Sequence, residues 1–249
     1  STSIIDSCDF YNHGISGIEI SNNANPVIKW SNFFESKGTG IFINRNGKGK
    51  IENCEFYNNQ NSGIMLSSQA NPTIKKCKIY ENKQTGVFFY EEALGTLEDC
   101  EIHKNTLAGI EIKQKSNPFI KDCRIHNGSK SGILIYEEGL GTIENTHVFT
   151  NLLAGIEIRD SANPVIINSK IYNNKEIGIL ISDNSNASIE KSDVFGNILA
   201  GIEIKNNSNP SILNCRIHDG KHVGIIVHSN SVGKFENCDI YSNTKAGVA

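Results

Sequence analysis

Residues 107–145 read LAGIEIKQKSNPFIKDCRIHNGSKSGILIYEEGLGTIEN, and this stretch decides the fold. It contains one pattern twice. Gly109-Ile110-Glu111-Ile112 returns as Gly132-Ile133-Leu134-Ile135, and Phe119-Ile120-Lys121 returns as Thr142-Ile143-Glu144. Outward from it, glycine stands at 17, 40, 63, 86, 109, 132, 155, 178, 201, 224 and 247, with no insertion or deletion between them. All five prolines share one register, at Pro26, Pro72, Pro118, Pro164 and Pro210, which pairs the coils two by two. Self-similarity at a fixed short period is the signature of a solenoid.

Columns read down the repeat give the elements. Ile or Val follows each of these glycines, and a second apolar residue stands two positions on, as in Ile110 and Ile112. The residue between them is mixed, so the pattern alternates with the period of a half-buried strand. Two further apolar columns run through Ile28, Ile51 and Ile74 and through Phe10, Phe33 and Phe56. Each coil thus offers three short strands separated by Gly, Asn, Ser and Pro turns. No segment has helical periodicity of useful length. The expected fold is all-β: a right-handed, single-stranded parallel β-helix of about eleven 23-residue coils, forming one domain over residues 1–249. At about 4.8 Å per coil the rod is roughly 50 Å long.

The 249 residues carry a net charge of −3, with 20% charged and 38% hydrophobic residues. That balance excludes a polybasic nucleic-acid binder, and no apolar run approaches the ~18 residues of a membrane helix. The lone methionine is Met65 and the chain starts at Ser1, so it reads as an excerpt of a longer protein whose missing sequence, or another chain, caps the coil edges.

Four more columns carry polar or aromatic residues. Asn59, Asn82, Asn105 and their equivalents read as a tight left-handed corner, because Asn and Gly tolerate that backbone. Lys29, Glu52, Lys75, Glu98, Lys121 and Glu144 alternate in sign, which suits register pairing on adjacent strands. All seven cysteines share a column with Ser31, Thr146, Ser169 and Ser192, so they read as small buried ladder residues, neither disulfides nor metal ligands. Seven free thiols point to a reducing, intracellular location. Tyr11, Phe34, Tyr57, Tyr80, His103 and His126 belong to a stacked aromatic ridge.

Catalysis on polysaccharides would need paired carboxylates or a calcium-binding acidic cluster. Glu19, Glu111, Glu157 and Glu203 face outward but recur like the prolines and never on adjacent coils. With every coil of one length, no loop is available to build a pocket. The expectation is therefore of no enzyme activity, no metal and no cofactor. The informative features are Phe42, Met65 and Phe88, an apolar stripe on three consecutive coils, and two acidic aromatic turns, Tyr90-Glu91-Glu92 and Tyr136-Glu137-Glu138. Apolar surface of this kind usually marks contact, so these nine residues form the candidate binding surface.

The frame A-G-I-E-I, N-P-x-I, R-I-H-[ND]-G, G-I-x-[IV] and G-[TK]-[IF]-E-N, carried by residues 107–145 and 199–228, resembles right-handed β-helix repeats of the CASH and NosD-like type. The resemblance is nearest to the β-helix region of F-box-only ubiquitin-ligase receptors. It implies a non-catalytic protein-recognition or scaffolding role, including reception of a ligase substrate, with a protein partner and neither nucleic acid nor membrane. A polysaccharide-binding or -modifying β-helix, of lyase, hydrolase or epimerase type, is the alternative.

Overall fold

The computed structural model describes residues 2–249. Thirty-two strands form three parallel sheets, two of eleven strands and one of ten, and none of the described residues is helical. One coil shows the plan. Thr73–Lys75 lies in the first sheet, Lys78–Tyr80 in the second and Val87–Phe89 in the third. Each pairs in register with its equivalent on the next coil, as in Ile74↔Leu97, Ile79↔Ile102 and Val87↔Ile110. The expected all-β solenoid is present.

The mixed position between two apolar columns points out and the apolar ones point in. In the third sheet Ile110 and Ile112 are fully buried while Glu111 between them is half-exposed. Three inward faces therefore enclose one continuous core of stacked Ile, Phe, Leu and Val. Each such side chain contributes about 1.5–3 kcal/mol on full burial.

The repeated glycines are required by space, not by backbone angle. A Cβ on Gly86 would lie 2.5 Å from the Gly109 carbonyl oxygen and 2.8 Å from Ile102 Cγ2. The asparagine column corrects the corner expected there. The left-handed residues are one position earlier, at Asn58, Glu81 and Lys104. Asn59, Asn82 and Asn105 are instead fully buried and form an internal amide ladder, Asn59 Nδ2 donating to Asn82 Oδ1 at 3.0 Å. An inward Asn satisfies the backbone groups of the corner and its neighbour above at once.

The cysteine column does the work its Ser and Thr members do. Cys54 Sγ donates to the Glu52 carbonyl at 3.3 Å, as Thr146 Oγ1 does to Glu144 at 2.9 Å. All seven thiols are free. The aromatic ridge is continuous from Tyr11 to Tyr241, with Tyr172 and Phe195 at 4.8 Å and parallel. Each ring's faces are covered by the rings above and below, so the ridge leaves edges rather than faces for a ligand.

Candidate functional site

The turn that leaves the third sheet places two consecutive residues in the left-handed region on every full coil, such as Glu91 and Glu92 (φ 52° and 59°) and Glu137 and Glu138 (φ 47° and 59°). Two coils place asparagine pairs at this turn, Asn22-Asn23 and Asn206-Asn207, while others place Ser68-Gln69, Gln114-Lys115 or Asp160-Ser161 there. The conformation belongs to the turn on every coil, so it sets where these side chains project rather than marking the glutamates out.

These turns line a groove of about 1170 Å³ that runs along the rod from Arg45-Asn46 to Asp183-Asn184. Seven coils contribute to it, a span of roughly 29 Å at the ladder spacing. Amides, hydroxyls and carboxylates line it, among them Ser68, Gln69 and Gln114. Ser68 Oγ donates to Glu91 at 2.8 Å and Gln69 Nε2 to Glu92 at 3.0 Å, so the wall is a ladder of paired polar groups. Asp183 is held below the usual carboxylate range by hydrogen bonds from Asn206 and Ser182. The groove corrects the expectation that coils of equal length leave no recess. The corner of the cross-section makes it, and stacking prolongs it without any loop.

Beside the groove, the outer face of the third sheet carries a compact titratable cluster. Tyr136 Oη donates to Glu111 Oε1 at 2.6 Å, and Thr85 Oγ1 donates to the other oxygen at 2.8 Å. Burial raises the Tyr136 phenol pKa, and Glu111 beside it raises it further. Arg159 lies over the Tyr136 ring at 4.8 Å and pairs with Glu157 at 3.4 Å, while Ser131 Oγ donates to Glu157 at 2.9 Å. Lys113 sits 5.8 Å from the Phe88 ring and 5.5 Å from that of Tyr136, and reaches Glu137 at 3.6 Å.

The nine candidate residues thus fall into one region. Phe42, Met65 and Phe88 adjoin in register on the outer face and are half-buried, Met65 Sδ accepting from Thr39 at 3.1 Å. Phe88 stacks on Tyr90 at 5.0 Å, and Glu91, Glu92, Glu137 and Glu138 are exposed on the groove wall. The sequence reading missed Lys113, which joins the two aromatic turns, and Arg159, which ties the Tyr136 ring to Glu157, and it passed over Glu111 and Glu157 as repeat consensus. The signal was the column Tyr90, Lys113, Tyr136, Arg159, which departs from the small polar residues at Ser67 and Ser182. Among the described residues no group of three or more His, Cys, Asp or Glu converges as a metal site.

The model of the right-handed β-helix region matches residues 1–117, 85–198 and 108–249. No curated protein matches the chain in sequence. Among solved structures, the mannuronan C-5 epimerase AlgE6 A-module of Azotobacter vinelandii is similar at TM-score 0.74 and 11% identity, over 100% of this chain and 89% of that one. A double mutant of the periplasmic alginate epimerase AlgG gives TM-score 0.80 at 13% identity, over 89% of this chain and 61% of that one. Pectate lyase Pel9A gives TM-score 0.62 at 15% identity, over 88% and 70%. At such identities the likeness establishes the fold. It also corrects two expectations, a non-catalytic protein-recognition or scaffolding rod and the absence of enzyme activity, because these structures are epimerases and a lyase. A protein partner has no support among them.

Proposed function

The chain belongs to the right-handed β-helix family, and we propose that it lays a polysaccharide lengthwise along the third sheet and modifies it at Glu111, Tyr136 and Glu157. The observation that carries this reading is the cluster itself, in which two half-exposed carboxylates flank a tyrosine beside a groove spanning seven coils. The groove suits an oligomer rather than a single sugar. Its hydroxyl, amide and carboxylate lining offers both donors and acceptors to sugar hydroxyls.

Glu111 and Glu157 occupy one outward column two coils apart, about 9.6 Å along the ladder. That backbone spacing is at the upper end of the roughly 6.5–9.5 Å carboxyl separation that leaves room for a water beside the sugar. One can then protonate the leaving glycosidic oxygen while the other takes a proton from that water. Tyr136 and Arg159 fix the two carboxylates in place. The epimerase and lyase neighbours support a glycan as the ligand class. The same reading retains a reducing compartment, supported by the seven free thiols.

The test is a panel of polysaccharides incubated with the purified chain, with new reducing ends and unsaturated sugar products both measured. Reducing ends released by the wild type and lost in Glu111→Gln and Glu157→Gln, with circular dichroism unchanged, are expected. A chain that binds and alters no polysaccharide overturns the reading.

A further inference from the structure

The face that would hold the polymer is strongly unbalanced in charge. Glu111 and Glu157 on the sheet, with Glu91, Glu92, Glu137, Glu138, Asp160 and Asp183 on the groove wall, make eight carboxylates against four cations, Arg45, Lys113, Lys115 and Arg159. Three of those cations are already engaged. Lys113 pairs with Glu137 at 3.6 Å, Lys115 with Glu138 at 3.5 Å, and Arg159 with both Glu157 and Asp160. Of the four, Arg45, at the end of the groove, has no ion pair among the described residues. Glu91 and Glu92 have hydrogen bonds from Ser68 and Gln69 but no cationic partner among the described residues.

We propose, building on the polysaccharide reading, that this site takes a glycan whose sugars carry amines and no carboxylates. A polyuronate would bring one negative charge per sugar onto a groove wall that has about twice as many carboxylates as cations, where among the described residues the cations lining its middle are already paired. Like charges brought together on a partly desolvated surface oppose binding, and a calcium bridge lacks a converging set of ligands among the described residues. An amine-bearing chain meets the opposite situation. Its ammonium groups can pair with Glu91 and Glu92 on one coil and with the oxygens of Glu137 and Glu138 not held by lysines two coils on. The inference separates this chain from its structural neighbours, which are named for alginate and pectate.

Binding to partly deacetylated chitosan, to a neutral glucan and to polygalacturonate, each at low and high salt and with and without calcium, tests it. Chitosan bound at least about tenfold more tightly than polygalacturonate, with the preference shrinking as salt rises, is expected. The double variant Glu91→Lys, Glu92→Lys changes only exposed wall residues and should reverse the order of the two charged polymers. Polygalacturonate bound as tightly as chitosan, or bound tightly once calcium is added, overturns the inference and leaves the polysaccharide reading standing. Neutral glucan bound more tightly than chitosan also overturns it. No binding to any of the three overturns both.

Discussion

Tyr136 Oη rests 2.6 Å from Glu111 Oε1, a contact between neighbouring coils that joins the mixed outward column to the aromatic turn beyond it. Burial and then the carboxylate raise the phenol's pKa, so the proton stays on Tyr136 at neutral pH. Tyr136→Phe removes only this donor. Turnover should fall about tenfold or more as Glu111 loses the hydrogen bond that orients it, with polymer binding changed only a few-fold. In the wild type, phenolate absorbance should show Tyr136, like Tyr80, titrating well above the ordinary tyrosine range, and the variant should lose one of these late-titrating groups. Turnover unchanged in the phenylalanine variant would remove Tyr136 from the reaction.

The glycine column tests the stacking itself. Gly86→Ala places a methyl 2.5 Å from the Gly109 carbonyl, where backbone must move, and should cost about 1–3 kcal/mol. Gly14 has no atom within 4 Å of its would-be Cβ, so Gly14→Ala should stay within about 0.5 kcal/mol of wild type. Urea midpoints of the two variants give the comparison.

Asn82 holds five ladder contacts. It accepts from the Asn59 backbone N–H at 3.1 Å and from Asn59 Nδ2 at 3.0 Å, and its own Nδ2 reaches Phe56 O, Tyr80 O and Asn105 Oδ1. Asn82→Ala leaves several of these groups buried without partners, and no water can reach a site that is fully enclosed. A loss of about 2–4 kcal/mol is expected from the urea midpoint. A loss below about 1 kcal/mol would mean that the amide ladder adds little to the stacking of apolar columns.

The fold was legible because its determinants repeat. Gly86 and Ile110 matter for what lies directly above and below them, and equal spacing makes that neighbour predictable from sequence alone. The site was legible only in part. Tyr90 and Tyr136 stood out by type, but the placing of Lys113 between Phe88 and Tyr136 depends on side chains crossing from one column to another. The groove was illegible for a related reason. It is lined by the turn between the third sheet and the first, stacked over seven coils, and its recess is a property of the whole cross-section rather than of any one column. At Asn82 the residue type was right for a corner, yet its amide served better inside the corner than on it.

The thiols divide by position. Cys54, Cys77, Cys100, Cys123 and Cys215 are buried, Cys238 is half-buried and Cys8 is exposed. Burial pushes the Cys215 thiol up to about 11, which leaves almost no thiolate to react at neutral pH. A colorimetric disulfide reagent should modify Cys8 promptly and Cys238 more slowly, with the five buried thiols reacting only in denaturant. Rapid reaction of more than two thiols in the native protein would show that the core opens locally.

Acid should weaken the rod through its histidines. Burial lowers the pKa of His103, stacked between Tyr80 and His126, and the neighbouring His126 and Lys104 lower it further against the opposing pull of Glu101 and Glu81. Burial likewise lowers that of His147, with Lys170 and Arg124 adding to the effect. The folded values lie below the unfolded value of about 6.5, so the unfolded chain takes up these protons first. Stability is therefore complete above about pH 6.5 and declines as pH falls through it. Glu101 adds a second loss at lower pH. Burial opposes its ionisation, but the His126 hydrogen bond and charge hold its carboxyl below the usual range, so its contribution disappears as pH drops below about 4.3. Phenylalanine already occupies the ridge at Phe34, Phe149 and Phe195, so His103→Phe keeps the stack while removing the proton site. Its Tm should fall less than that of wild type between about pH 6.5 and pH 5, and the two curves should run parallel above that interval. Curves that stay parallel down to about pH 5 would assign the acid sensitivity to groups other than His103.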